Sequence, residues 1–127
     1  MTGNMLHDKS LTFAVRTVNF YNYLCDNKKE YVISKQILRS GTSIGANIRE
    51  SKNAESRSDY IHKLSIALKE ADETQYWLEV LSLSNIIDDN EYSSMNNDVK
   101  ELIALLTSII TRIKNKKNNN LKEENLE

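Results

Sequence analysis

The chain contains no proline and only three glycines among its 127 residues. Proline ends helices and occupies turns, and glycine supplies the positive-φ positions that hairpins need. A β-sandwich or β-barrel of this length needs many tight turns, so the composition argues against both. It favours a few long helices with few connections. The length suits a single domain with a sizeable core and is short for two.

Charge and hydropathy further narrow the class of protein to which the chain can belong. There are 17 Lys and Arg residues against 18 Asp and Glu, a net charge of −1, so no overall basic field indicates nucleic-acid binding. No stretch approaches the roughly 20 apolar residues of a membrane span, and the N-terminal residues lack the apolar run of a signal peptide. The single cysteine, Cys25, cannot form an internal disulfide, which is typical of a reducing compartment. We expect a cytoplasmic protein without membrane contact.

Apolar residues recur at helical spacings of three and four in four segments. The first runs from about Ser10, a candidate N-cap, to Asn27. Its main apolar stripe consists of Leu11, Ala14, Val18, Tyr21 and Cys25. A second set flanks this stripe and widens the apolar face, and it consists of Phe13, Phe20 and Leu24.

The second segment runs from about Ser34, another candidate N-cap, to Asn53. One face carries four isoleucines, which are Ile33, Ile37, Ile44 and Ile48. Gly41 and Gly45 lie inside the segment, and each costs about 1 kcal/mol relative to alanine in a helix interior. A loop at the glycines is the alternative, but the isoleucine phase is the same on both sides of them. We therefore predict one continuous helix.

The third and fourth segments complete the pattern. The third begins near Ser58 and reaches Ser84, with a seam of Ile61, Leu64, Leu68, Ala71, Gln75 and Leu78. The fourth follows a capping-box pattern of Asp88 and Glu91, and its apolar stripe consists of Met95, Val99, Leu102, Leu106, Ile109 and Ile113. The sequence therefore predicts an all-α, antiparallel, up-down-up-down four-helix bundle over residues 1–114. A polar tail, residues 115–127, is expected to fray or be disordered.

Metal chemistry has little support in the sequence. A di-iron bundle site needs two Glu-x-x-His pairs and two further glutamates, but neither His7 nor His62 has a glutamate three residues before it. A carboxylate cluster of Glu50, Glu70 and Glu73 is the remaining metal hypothesis, against the alternative of solvated or salt-bridged carboxylates.

Nucleophilic catalysis has no better support. Cys25 on an apolar stripe is typical of a buried, inert thiol. The serines around Gly41 form neither a nucleophile elbow nor a phosphate loop. We expect no enzyme activity, no metal, no cofactor and no small-molecule substrate.

The glycine-bearing segment has two other distinctive features. Gly41 and Gly45 allow close approach of a neighbouring helix, within the monomer or at a subunit contact. A polar ridge follows the same helix, and a second ridge follows the third helix; the candidate network consists of Arg39, Ser43, Asn47, Glu50, Glu70 and Glu73. If the ridges face each other, Arg39 and Asn47 bind the carboxylates and fix the register of the two helices. The alternative is exposed, unrelated charges.

Two groups of basic residues are weaker candidates for nucleic-acid contacts. The second helix carries Lys35, Arg49 and Lys52, and the end of the fourth carries Arg112, Lys114, Lys116 and Lys117. No aromatic residue is interleaved with the second group for base stacking. A solvated surface is the alternative interpretation.

Three stretches resemble the four-helix-bundle proteins of the 23S rRNA intervening-sequence family, namely Leu38–Ser51, Asn53–Ser56 and His62–Leu78. The resemblance extends from Phe13 to about Ile113. It implies a ribosomal-protein-like bacterial protein, a homopentameric ring of bundles and no catalytic residues. A related branch, the accessory factors of diversity-generating retroelements, binds nucleic acid and a reverse transcriptase through basic surfaces.

The leading hypothesis is a non-enzymatic, homo-oligomeric bundle protein. Near the end of the third helix, apolar side chains point in nearly every direction, and the first helix has a doubled apolar face. Both apolar surfaces are larger than the core of one bundle requires, so subunit contacts would cover them. The candidate interface consists of Phe13, Phe20, Tyr76, Trp77 and Val80. The alternative function is a nucleic-acid or ribonucleoprotein-binding accessory factor that uses basic surfaces of the oligomer.

Overall fold

Four α-helices make up the computed structural model, which describes the backbone of residues 2–126 and the side chains of residues 5–116. They are α1 (Thr2–Lys28), α2 (Ile33–Ser51), α3 (Arg57–Leu83) and α4 (Asp89–Leu126). Each helix packs against its neighbours in sequence, and α1 also meets α4. Across the described residues, the diagonal pairs α1–α3 and α2–α4 make no close backbone approach. The predicted all-α up-down-up-down bundle is confirmed.

The last helix is longer than predicted. The α4 backbone passes position 114 without a break and is helical to Leu126. The side chains of residues 117–127 lie outside the described residues, so the separate tail over 115–127 stays a prediction. None of the helices, over the residues described, is long and apolar enough to cross a membrane.

Two of the predicted N-caps, Ser10 and Ser58, are wrong. Helix α1 begins at Thr2, so Ser10 lies within it, and the buried Ser10 hydroxyl donates to the His7 carbonyl at 2.9 Å. Helix α3 is capped by Ser56, whose hydroxyl accepts from the Asp59 N–H at 3.0 Å. Both serines are chemically suited to capping, but tertiary packing places Ser10 in the core instead.

Helix α2 is capped by a carboxylate, and Ser34 is not its N-cap. The Glu30 carboxylate accepts from the N–H groups of Val32, Ile33 and Ser34, at 2.9, 2.7 and 2.7 Å. Partial burial raises the pKa of Glu30, but these hydrogen bonds from Ile33, Ser34 and Val32 outweigh it and lower the pKa below its ordinary value. The ionised Glu30 thus satisfies three amide donors that the first turn would otherwise leave open.

The connection between α3 and α4 turns without glycine. Asn85 adopts a left-handed conformation with φ of 60°, and the Ile86 N–H donates back to the Leu81 carbonyl at 3.0 Å, as in a Schellman motif. The predicted capping box then starts α4: Asp88 Oδ1 accepts from the Glu91 N–H at 2.8 Å, and Glu91 Oε1 accepts from the Asp88 N–H at 2.9 Å. This prediction is confirmed.

The contact between α1 and α2 is built on small residues. A Cβ added at Gly41 would lie 2.7 Å from Thr17 Cγ2, and one added at Gly45 would lie 3.2 Å from the Ser10 carbonyl oxygen. Side chains at these positions would hold the two helices apart. Helix α2 is continuous through both glycines. The glycines therefore serve close packing within the monomer, as one of the two hypotheses predicts.

This contact determines which face of α1 enters the core. The buried positions follow spacings of three and four and are Ser10, Phe13, Thr17, Phe20 and Leu24. The stripe predicted to be the main one is rotated outward, with Leu11 47% and Val18 42% exposed. Ser10 and Thr17 occupy core positions opposite the glycines. A pattern of apolar residues alone therefore predicts the wrong buried face for α1.

The other helices bury the predicted stripes. Their shared core residues include Ile37, Ile44, Ile48, Leu64, Ala71, Leu78, Met95, Val99, Leu102, Leu106 and Ile109. Two polar pairs join the helices inside this core. The Thr74 hydroxyl lies 2.9 Å from the Ser40 hydroxyl between α3 and α2, and the Gln75 amide donates to Asn96 at 2.9 Å between α3 and α4.

Replacing Gly41 by alanine should destabilise the protein, although alanine favours a helix interior by about 1 kcal/mol. The new Cβ would overlap Thr17, which is fully buried. Overpacking of this kind costs about 1–3 kcal/mol, so we expect a small net loss in the free energy of unfolding by urea.

The matching variant is Thr17→Ala, which removes the two nearest atoms that the new Cβ would meet, Cγ2 and Oγ1, and keeps the Thr17 Cβ at 3.2 Å. Gly41→Ala should therefore be clearly less destabilising in the Thr17→Ala background than in the wild-type background. A Gly41→Ala substitution that raises stability equally in both backgrounds would show that α1 and α2 do not meet there.

Candidate functional site

An ion-pair cluster joins α2 to α3. Arg39 Nη1 lies 3.1 Å from Glu70 Oε2, and Arg39 Nη2 pairs with Glu73 Oε2. The Trp77 indole N–H donates to the same Glu73 oxygen at 3.3 Å. The Glu70 side chain is only 20% exposed, so one guanidinium holds two carboxylates at a partly buried seam. This part of the predicted network is present.

The other predicted members do not join this cluster. Ser43 donates to the Arg39 carbonyl at 2.6 Å and Asn47 to the Ser43 carbonyl at 2.9 Å, both within α2. Glu50 accepts from Lys63 at 3.3 Å. Because α2 and α3 are antiparallel, each turn further along α2 faces an earlier turn of α3. Asn47 is therefore beyond reach of Glu70 and Glu73, and the single six-residue network is wrong.

The same register separates the three carboxylates of the metal hypothesis. Glu70 and Glu73 share Arg39, whereas Glu50 pairs with Lys63 nearer the other end of the seam. They do not converge on one point. Within the described part of the chain, no group of three His, Cys, Asp or Glu side chains is placed to hold a metal ion.

The α1 half of the predicted interface is wrong. Phe13 is 2% and Phe20 is 8% exposed, so both belong to the monomer core. The outward face of α1 carries Leu11, Val15 and Val18 instead, with exposures of 47%, 57% and 42%. These three residues, here called the α1 stripe, lie at spacings of four and three. Val15 is apolar but belongs to neither of the two apolar sets that the sequence predicts for this helix. It is the sequence signal that indicates an outward apolar stripe.

A second apolar stripe runs along the outer face of α3. Tyr76, Val80 and Leu83 follow one another at spacings of four and three, and Tyr76 and Leu83 are 56% and 84% exposed. We call these residues the α3 stripe. Trp77, next to Tyr76 in an edge-to-face contact with ring centroids 4.9 Å apart, packs partly against the core. Tyr76 of the predicted interface is thus exposed and Val80 is half-buried, and their role stays a prediction.

The basic residues do not form one group. Lys35 lies in the first turn of α2, while Arg49 and Lys52 lie at its other end. Arg112, Lys114 and Lys116 are exposed on α4, towards the same end of the bundle as Lys52, since α2 and α4 are parallel. The Lys117 side chain lies outside the described residues.

Residues 4–108 of the sequence match the family model for the 23S rRNA-intervening sequence protein. This chain belongs to the 23S rRNA-intervening sequence protein family. The matched range includes all of α2 and α3, which carry the glycine contact and the Arg39 cluster. The resemblance seen in three stretches of the sequence is confirmed.

The fold of this family member is similar to that of a solved structure. That structure is a protein of unknown function from the S23 ribosomal protein family of Bacteroides thetaiotaomicron VPI-5482. The two sequences are 59% identical, and the match covers 87% of this chain and 99% of that chain, with a TM-score of 0.86. Among curated proteins, no sequence matches this chain.

Replacing Arg39 by methionine should lower the free energy of unfolding by about 1 kcal/mol. The substitution keeps most of the aliphatic length but leaves Glu70 and Glu73 facing each other at the seam without their cation. Urea unfolding at neutral pH measures the loss. The matched control is Lys35→Met, an exposed residue one turn earlier on α2, which should change stability little. Equal effects of the two substitutions would contradict a structural role for the cluster.

Proposed function

We propose that this family member is a non-enzymatic protein that works as an assembly of identical copies, joined through the α1 and α3 stripes. The observation that carries the proposal is the exposure of two apolar stripes on a bundle whose core is already filled by other residues. Val15 is 57% and Leu83 is 84% exposed. Apolar surface in this arrangement is typical of an interaction site.

The positions of the stripes favour a ring. Helices α1 and α3 occupy diagonal corners of the bundle, so their outer faces point in different directions. Contact between the α1 stripe of one copy and the α3 stripe of the next is heterologous, and heterologous contacts generate closed rings when the rotation closes. The family resemblance implies five copies of a bacterial protein, and the single cysteine is typical of the cytoplasm; we adopt both in the proposal.

The polar side chains that were candidates for catalysis or metal binding make contacts inside the bundle, which supports a non-enzymatic role. Glu70 and Glu73 are held by Arg39, and Glu50 is held by Lys63. The Cys25 sulfur lies 3.7 Å from the Ser34 hydroxyl on the neighbouring helix. These side chains form contacts between helices, and their role in the proposed function is to stabilise the bundle.

Single charged substitutions in the stripes test this proposal by sedimentation velocity at micromolar concentration. The wild-type chain should sediment as an assembly larger than a dimer. Val15→Glu and Leu83→Glu should each sediment as monomers, because a charge would be buried without a partner in the contact. Thr107→Glu, at an exposed position on α4, is the control and should assemble like the wild type.

A mixture of the two variants distinguishes a ring from a symmetric pair. Val15→Glu keeps a functional α3 stripe and Leu83→Glu keeps a functional α1 stripe, so the mixture should form one-to-one dimers and nothing larger. A wild-type chain that is a stable monomer would contradict the proposal. So would a Leu83→Glu variant that assembles as well as the wild type.

A second candidate function is binding of RNA or a ribonucleoprotein. It is favoured by the exposed basic residues Lys52, Arg112, Lys114 and Lys116, which lie towards one end of the bundle. Replacing Lys114 and Lys116 together by glutamine should weaken salt-dependent RNA binding and reduce the salt slope by about one for each lost phosphate contact. Lys35→Gln, at the opposite end, is the control. Absence of binding at low salt would exclude this function.

A further inference from the structure

We propose that His7 and Arg49 form a proton-sensitive latch that holds the beginning of α1 against the end of α2. Arg49 Nε donates to His7 Nε2 at 3.3 Å, and Arg49 Nη2 lies 3.1 Å from the same nitrogen. A guanidinium has donors and no acceptor. His7 Nε2 must therefore present its lone pair, and the latch is closed only with a neutral imidazole.

The other ring nitrogen fixes the tautomer. His7 Nδ1 lies 3.3 Å from Asp8 Oδ1, and a carboxylate accepts hydrogen bonds. With a donor facing Nε2 and an acceptor facing Nδ1, only the form protonated on Nδ1 satisfies both neighbours. The structure thus assigns the Nδ1–H tautomer to His7.

A second proton on the ring would open the latch. Protonation of Nε2 removes the lone pair that Arg49 uses and places two cations in contact. The His7 side chain is 19% exposed, and His7 and Arg49 together line a cavity of about 350 Å³ between α1 and α2. Solvent can therefore reach the ring, and water has room to replace the guanidinium when Arg49 turns outward.

The charged groups around His7 do not keep the latch closed after protonation. Asp8 is 78% exposed and Arg49 is exposed as well, so water screens both the attraction of Asp8 and the repulsion of Arg49. Glu50 of α2 lines the same cavity but is paired with Lys63 of α3. On the α4 side, Glu101 is paired with Lys9. The hydrogen bond from Arg49 therefore decides the state of the latch, because it requires an acceptor at Nε2 that the protonated ring lacks.

The latch does not rest on the proposed assembly, since both partners belong to one chain. His7 lies one helical turn before Leu11 and so stands at the end of the α1 stripe. Because the closed latch needs the neutral ring, it makes the start of α1 responsive to acidification.

Two NMR measurements on the full chain test the latch. Nitrogen chemical shifts of the imidazole at about pH 8 should show His7 protonated on Nδ1 and unprotonated on Nε2. Hydrogen exchange of the Arg49 Nε–H should be slowed at that pH and lose its protection by about pH 5.5. Guanidinium exchange is catalysed by base and slows as pH falls, so lost protection at the lower pH indicates a broken hydrogen bond.

Three variants complete the test. His7→Gln offers a carbonyl acceptor that does not titrate, so Arg49 should stay protected at both pH values. His62→Gln removes the chain's other histidine, which is exposed on α3, and should behave like the wild type. Arg49→Met removes the donor at Nε2 but leaves the Asp8 acceptor at Nδ1, so the Nδ1–H preference of His7 should weaken. A wild-type His7 protonated on Nε2 at about pH 8, or protection of Arg49 that is equal at both pH values, would overturn the proposal.

Discussion

The close approach of α1 and α2 at Gly41 and Gly45 is the contact on which the rest of the structure depends. Neither glycine sits in a turn, and neither has a positive φ. They are placed where a side chain on α2 would meet Thr17 or the Ser10 carbonyl. Because α1 must present its small residues to this contact, its rotation about its own axis is fixed. The chain accepts two poor helix formers in one helix and gains a tight interface between helices.

The rotation of α1 has consequences on both of its sides. Inward, it places Phe13 and Phe20 in the core. Outward, it leaves Leu11, Val15 and Val18 in solvent, and this surface is half of the proposed assembly contact. At its beginning, it places His7 beside Arg49 at the end of α2. The assembly surface and the latch therefore both follow from one packing constraint.

Most of the fold could be predicted from the sequence because three helices carry one dominant apolar stripe each. Helix α1 has two apolar stripes, and the stripe with more apolar residues is not the one that enters the core. The information that resolves the choice is polar: Ser10 and Thr17 continue the spacing of Phe13, Phe20 and Leu24, and small hydroxyl residues match glycines on the facing helix. The Arg39 cluster was predictable because all its members lie on long, regular helices. The His7–Arg49 contact was not, since it depends on how far α1 extends before Ser10.

Disulfide trapping in solution tests the central claim, that α1 of one copy meets α3 of the next. In a Cys25→Ser background, which removes the native thiol, cysteine is placed at Val15, at Leu83 or at both. We predict cross-links in the double variant and in a mixture of the two single variants, and none in either single variant alone. Cross-linking of the Val15→Cys variant with itself, or the absence of cross-links in the double variant, would contradict the account.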